Sequence, residues 1–498
     1  MKIIVWLTLG LLCAACGGGG DPSGPGGGGA TAATAGSGGG TGGGGSTGSG
    51  DTGGGGGGDT GGGTGGAGTG GDAAGGAASV GLAAPDAIFL HPTETQGNMV
   101  RNIAVAGAAD GGAYVSGASF GEIRLGDQTI TDLGAFLVRL DREGDLLWSA
   151  PIVTARQSAV TAVTVDREGN AVFAGELNGD VTIGSETLSA PTADSDAMVA
   201  KLGPAGDVLW ARRFASAATD RCLAIATDAT GHVYVGGYVG DDIDFGDGLL
   251  EADGESPFLL KLAPSGDVAW AKVFNNPGST DSAVAGIAVH EDGDVSITGY
   301  ADGPLTIGGT ALTLPDGSTM MGFIARFSSA GEARFARRFG GPEFDMGNEI
   351  AVGQGTFLAG TVSGESDVLG TTVDADIEGT PFVAKLTESG TAEWVITPEP
   401  RGTMYGLAPD RAGGVYAAGR YDGLVSFNYT PFALHAHASS EVTALQRYAS
   451  SAGSAQGMAL TPDGTLWVAG LFFGYIDIGS GTVESPSTSG FVLRISPP

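Results

Sequence analysis

Residues 196–237 decide how this chain is read: DAMVAKLGPAGDVLWARRF (196–214), then AIATDATGHVYVGG (224–237). Apolar and polar residues alternate over short runs, the pattern of a strand with one buried face. Between the runs stand GPAGD and DATGH, whose Gly, Pro and Asp set tight turns. The same phrases return in order along the chain. An apolar run, a turn and a short strand ending in Gly recur as IAVAGAADGGAYVSG (103–117), VTVDREGNAVFAG (163–175), IAVHEDGDVSITG (287–299), GLAPDRAGGVYAAG (406–419) and MALTPDGTLWVAG (458–470). A strand with one cation follows: AFLVRL, AMVAKL, PFLLKL, GFIARF, PFVAKL and GFVLRI. The last phrase carries an aromatic, Trp148, Trp210, Trp270, Phe335 or Trp394, spaced 62, 60, 65 and 59 residues apart.

Self-similarity at a period of about 60 residues, with four short strands per unit and no long helical pattern, predicts an all-β fold, a seven-bladed β-propeller. The units run 99–154, 155–216, 217–279, 280–343, 344–401, 402–455 and 456–498. The last stops after one strand fewer than the others. Residues 86–92 read as the missing strand, with Phe89 at the Trp position, because an open ring leaves a strand edge unpaired. The sixth unit has room for only one strand between its loop and Met458, so that blade either has three strands or uses Ala444–Tyr448 as its outer one. Six blades plus an irregular insert is the alternative count.

The phrases DAMVAKLGPAGDVLWARRF and GGPEFDMGNEIAV (340–352) resemble the bacterial SBBP β-propeller repeat family over residues 86–498. The resemblance implies an exported or cell-surface protein. It brings no catalytic motif.

The N-terminus reads as a processing signal. Lys2 precedes the apolar run Ile3–Leu12, too short to span a bilayer. Cys13-Ala14-Ala15-Cys16-Gly17 resembles the lipobox of bacterial lipoproteins, which makes 1–15 the signal peptide and Cys16 the lipidated residue. The membrane is then a partner through the anchor, and an outer membrane or cell surface of a Gram-negative bacterium is the expected address. Residues 16–81 carry 36 of the 94 glycines, no aromatic and no cation, so they cannot bury enough surface to fold. They read as a Gly-rich linker with a span of roughly 45 Å. Residues 82–498 are the propeller. Cys222 is the one cysteine left after Cys13 is removed and Cys16 capped, which excludes an internal disulfide.

The chain carries 55 acids against 23 bases, a net charge of −32. That excludes a nucleic-acid binder, which needs a basic footprint. Catalytic groupings do not assemble. Ser119 fits GxSxG, but the same Gly-x-x-x-Gly recurs at Gly175/Gly179 and Gly299/Gly303 without Ser, as a bend where Gly allows unusual backbone geometry. His435 and His437 could share a face as zinc ligands, though a solvated loop explains them as well. Asp242, Asp244 and Asp247 are candidate Ca²⁺ ligands, short of a full twelve-residue loop. No other cofactor is indicated. The repeated cation (Arg139, Lys201, Lys261, Arg326, Lys385, Arg494) is expected to pair with a neighbouring blade's acid or stay solvated. The Trp series is expected to pack between blades.

Long connections, such as 118–135 and 238–257, all join second to third strands, so they share one face with the blade-to-blade crossings. That face and the channel mouth are the expected interaction surface, with a small extra hairpin at each LGDQTI-like insert. The reading is a monomeric, lipid-anchored, extracytoplasmic binding or scaffold module, adhesin-like or engaging a protein or glycan partner. The alternative is an extracytoplasmic hydrolase or lyase on polysaccharide or peptide. It would need clustered titratable groups at the channel mouth.

Overall fold

The computed structural model describes residues 82–496, apart from 93–98, 126–127, 131–133, 155–157, 190–193, 400, 423–428 and 480. The signal peptide, Cys16 and the linker 16–81 lie outside the described residues. Every regular element among the described residues is a strand, and the fold is an all-β propeller.

Six blades are each cut from one run of chain: 99–154, 159–214, 221–273, 282–339, 346–396 and 402–447. In the third blade the order from the axis outward is Arg221–Thr227, Val233–Val239, Ser256–Leu262 and Val268–Val273. A further sheet closes the ring from both ends of the domain. Ala449–Leu460, Leu466–Asp477 and Thr482–Ile495 are joined by Asp86–Pro92, with Asp86 opposite Arg494 and Leu90 opposite Gly490. Each inner strand packs on the next and the last on the first, so together they enclose a central channel. The core lies between sheets. Val172 and Val199 of one blade, for example, meet Cys222 and Val235 of the next. Cys222 is fully buried there, and burial pushes its thiol up to about 12, so it serves as a small hydrophobe.

A β-bulge interrupts every inner strand at the same point, including Val160/Ala162, Cys222/Ala224, Val284/Gly286 and Gly347/Glu349. The bulge explains the Gly that ends each second strand. A Cβ on Gly237 would lie 1.9 Å from the Arg221 carbonyl oxygen, and one on Gly299 1.9 Å from that of Ala283. Neither glycine has a positive φ. The unusual backbone geometry expected of the Gly-x-x-x-Gly bend falls on its second Gly, with positive φ at Gly121, Gly179, Gly364 and Gly474, whereas the first needs Gly because the bulged strand leaves no room for a Cβ.

The outer aromatics bind blade to blade. The indole N–H groups of Trp148, Trp210 and Trp270 donate to the carbonyls of Pro204, Pro264 and Ser329, each in the next blade's turn, at 2.9–3.1 Å. In the closing sheet Ile88, not Phe89, takes this place, against Gly144. Phe89 lies on the opposite face of its strand, stacked on His91.

The repeated cations pair mainly within their own blade. Arg139 meets Asp110 at 2.6 Å, Lys201 meets Asp166 at 2.7 Å, and Arg326 meets Asp292 at 2.9 Å. The third strand ends beside the first hairpin turn of its own sheet, and this puts the acid within reach. Among the described residues only Arg326 also reaches a neighbour's acid, Glu388 at 2.6 Å. The sixth blade has four strands, with Tyr429–Ala436 third and Val442–Arg447 outermost. His435 therefore sits in a strand rather than a loop. It occupies the cation position and binds Asp410 at 2.7 Å.

Candidate functional site at the channel mouth

The second-to-third connections carry short hairpins, Val181–Ile183 with Glu186–Leu188 and Leu305–Ile307 with Thr310–Leu312 among them. These hairpins lie on the same face as the crossings between blades. The residue after each constrained Gly lies near the long-loop end of its strand and differs from blade to blade: Ala118, Glu176, Tyr238, Tyr300, Thr361, Arg420, Leu471.

Between the third and fourth blades this variation builds a cluster. Residues 253–255 run beside 278–279, tied by Gly278 N–H to the Asp253 carbonyl and Glu255 N–H to the Ser279 carbonyl, both at 3.1 Å. This brings Glu255 to Asp281. Asp302, just beyond the second strand of the fourth blade, accepts from the Ser279 hydroxyl at 2.6 Å and from the Thr280 amide and hydroxyl at 3.1 Å. Tyr238 and Tyr300 pack together over Leu223 and Ala285, the bulge residues of the two inner strands, with Met346 and Phe344 alongside. Arg221 supplies one cation, held by Glu176 at 2.6 Å.

The electrostatics follow from crowding. Burial, then the Asp281 charge, raises Glu255 to about 7. Burial and Asp302 raise Asp281 to about 6. Burial raises Tyr238 to about 12. Tyr300 is raised too, by burial and then by Asp281, Tyr238 and Glu255, with the Arg221 charge opposing. Tyr300 is 5% exposed.

Other groups anticipated from sequence are placed elsewhere. Asp242 accepts from the Ala252 amide at 2.8 Å, and Asp244 from the Gly246 and Gly248 amides at 2.8 and 3.0 Å. These two carboxylates cap the turns of their own hairpin. Asp247 sits in the same hairpin turn. Among the described residues no three His, Cys, Asp or Glu side chains stand as a metal-ligand group. His437 lies in a turn, bonded to the Ser439 hydroxyl at 3.0 Å. Ser119 donates to the Gly134 carbonyl at 3.4 Å.

Two buried features escaped the sequence reading. Asp220 and Asp345 are fully buried at the starts of inner strands and accept backbone amides, Gly240 at 3.2 Å and Ser363 at 3.0 Å respectively. Burial nonetheless raises both to about 6. Glu349 follows the fifth bulge, where other blades have Ala162, Ala224, Gly286 or Gly406. Burial raises it to about 8. On the short-turn face a cavity of about 640 Å³ opens between Gln354, Pro409, Arg411 and Leu460.

The architecture is that of a closed, bulged β-propeller with a titratable mouth. No family profile matches the chain. An uncharacterized WD repeat-containing protein of Acanthamoeba polyphaga mimivirus is 25% identical over 191 residues, which is 33% of this chain and 13% of that protein. Among solved structures, YCF48 bound to D1 peptide aligns over 83% of this chain and 96% of its own (9% identity, TM-score 0.39). The Neurospora crassa Pan2 WD40 domain aligns over 82% and 91% (9% identity, TM-score 0.33).

Proposed function

We propose that this chain is an exported binding module of the SBBP repeat type, anchored through Cys16 and carried on the linker 16–81. In this reading the propeller stands at the surface of a Gram-negative cell. It engages a protein or glycan partner with the long-loop face around the channel mouth. One observation supports this most: the regular positions of the ring hold it closed, whereas the variable position at the strand end brings Tyr238 and Tyr300 together, with Glu176 paired to Arg221.

The same cluster favours a second reading, a hydrolase or lyase. A carboxyl raised to about 7 beside another raised to about 6 is the kind of pair that general acid–base chemistry uses. The test is binding of the labelled full chain to intact cells and a glycan panel, run beside a broad hydrolase screen. Saturable binding lost in Asp281→Arg and kept in the turn-face control Asp463→Arg supports the module. Turnover without a binding partner overturns it.

A further inference from the structure

We propose that the cavity on the short-turn face, where the fifth, sixth and seventh blades meet, binds a small alkyl carboxylate. It lies on the face opposite the long loops and goes beyond the binding-module reading, so neither stands or falls with the other.

The cavity follows from one short turn. In the other six sheets the first hairpin turn is closed by an amide that donates to the carbonyl four residues on, such as Asp166 to Asn170 at 3.0 Å, His290 to Asp294 at 2.8 Å and Asp410 to Gly414 at 3.0 Å. In the fifth blade the Gly353 amide donates to the Gly355 carbonyl at 2.9 Å, only two residues on. That shortening leaves about 640 Å³ open beside the ends of three inner strands. Val352, Leu407, Pro409, Met458 and Leu460 form its apolar wall, and the volume suits a small molecule.

The same shortening removes a charge. Each of the other six turns carries an Asp: Asp110, Asp166, Asp228, Asp292, Asp410 and Asp463. Gly353-Gln354-Gly355 carries no acid. Lys385, the cation of this blade, pairs instead with Glu393 of the outer strand at 3.3 Å. Arg411 stands exposed at the rim, where it donates to the Pro462 carbonyl and meets no acid among the described residues. Asp410 is the one carboxylate in the lining, and it is already held by His435 at 2.7 Å and by the amides of Ala412 and Gly414 at 2.7 and 2.8 Å. The Gln354 side-chain amide donates to the Arg411 carbonyl and ties the two turns together. In a chain of net charge −32, a rim whose acid is committed and whose guanidinium is not is where an anion is least repelled. An apolar wall beside such a guanidinium suits an alkyl chain ending in a carboxylate, which Arg can engage with two parallel bonds.

The test is calorimetric titration of the full chain with octanoate, octanamide and acetate, for the parent protein, Arg411→Gln, Gln354→Glu and Asp281→Arg. Arg411 and Gln354 are exposed, and melting curves check that every variant is folded. Octanoate should bind, octanamide about tenfold more weakly and acetate not measurably, because charge and chain are both needed. Arg411→Gln should lower octanoate affinity about tenfold and leave octanamide binding unchanged. Gln354→Glu returns to this turn the acid found in the other six and should weaken octanoate by a similar factor. Octanoate binding that survives Asp281→Arg supports this face as its site, and binding lost there overturns it. No octanoate binding, equal binding of octanoate and octanamide, or octanoate affinity unchanged in both Arg411→Gln and Gln354→Glu also overturns the proposal.

Discussion

The two faces of the ring use the same residue type in opposite ways. On the short-turn face, burial alone would raise Asp110, Asp166 and Asp228. Hydrogen bonds, from Arg139, from Lys201 and Asn170, and from Thr230 and His232, outweigh it and hold all three below the usual carboxylate value. At the mouth, Glu255 and Asp281 crowd one another and rise. The first arrangement repeats from blade to blade and serves the frame. The second does not repeat with the blades and runs against the frame's stability, which is the usual mark of a functional site.

The largest effect that sharpens this contrast is removal of part of the frame itself. Deleting 84–96 unpairs the edge of Thr482–Ile495, removes the fully buried Leu90 and uncovers the core residues it packs with, Val492 and Leu471 among them. With several apolar side chains lost to water, the expected cost exceeds ~5 kcal/mol. An unchanged melting temperature would sink the closure argument. Next comes Asp166→Ala, which leaves Lys201 buried without its 2.7 Å partner. Breaking a buried pair in this way costs ~3–5 kcal/mol, read as a lower denaturation midpoint with an unchanged slope.

The pH dependence should show both faces at once. Glu349, Glu255, Asp281, Asp220 and Asp345 sit at about 8, 7, 6, 6 and 6 when folded. The folded chain therefore binds more protons than the unfolded one, and stability rises as pH falls from about 8 to 5. The turn-face acids act with the opposite sign, and only below about pH 4, where their stabilisation is lost. A melting temperature that falls steadily from pH 8 to 5 would contradict the assignment.

Smaller still is Asp281→Asn, expected to keep or raise the melting temperature by a degree or two as a repulsion of under ~1 kcal/mol is relieved. A clear loss would make this acid part of the frame. The smallest effect is expected for His435→Lys. It restores the cation found at this position elsewhere in the ring and should leave stability within ~1 kcal/mol.

The frame was legible in the sequence because its residues repeat. Trp148, Trp210 and Trp270 announced the period, and their inter-blade role could be read from it. His435 was missed because the cation position was sought as Lys or Arg, although PFALHA aligns with PFVAKL. The mouth was not legible. Tyr238, Glu255, Asp281 and Tyr300 come from four separate stretches, and only the bulged crossings between two blades bring them together. One signal was available: the residue after each constrained Gly changes character from blade to blade, and variation inside a rigid repeat marks a position that packing does not dictate.

The closing strand also sets the order of assembly. Asp86 must find Arg494, 408 residues later in the chain. Contacts of such long range are made late, after the local hairpins of each blade. Until synthesis is nearly complete, strand 86–92 has only Ile123–Leu125 against its Leu90–Pro92 end, and the edge of 482–495 that closes the ring does not yet exist. The ring is thus a clasp that snaps shut last, and a truncated or stalled chain would present bare strand edge to its neighbours.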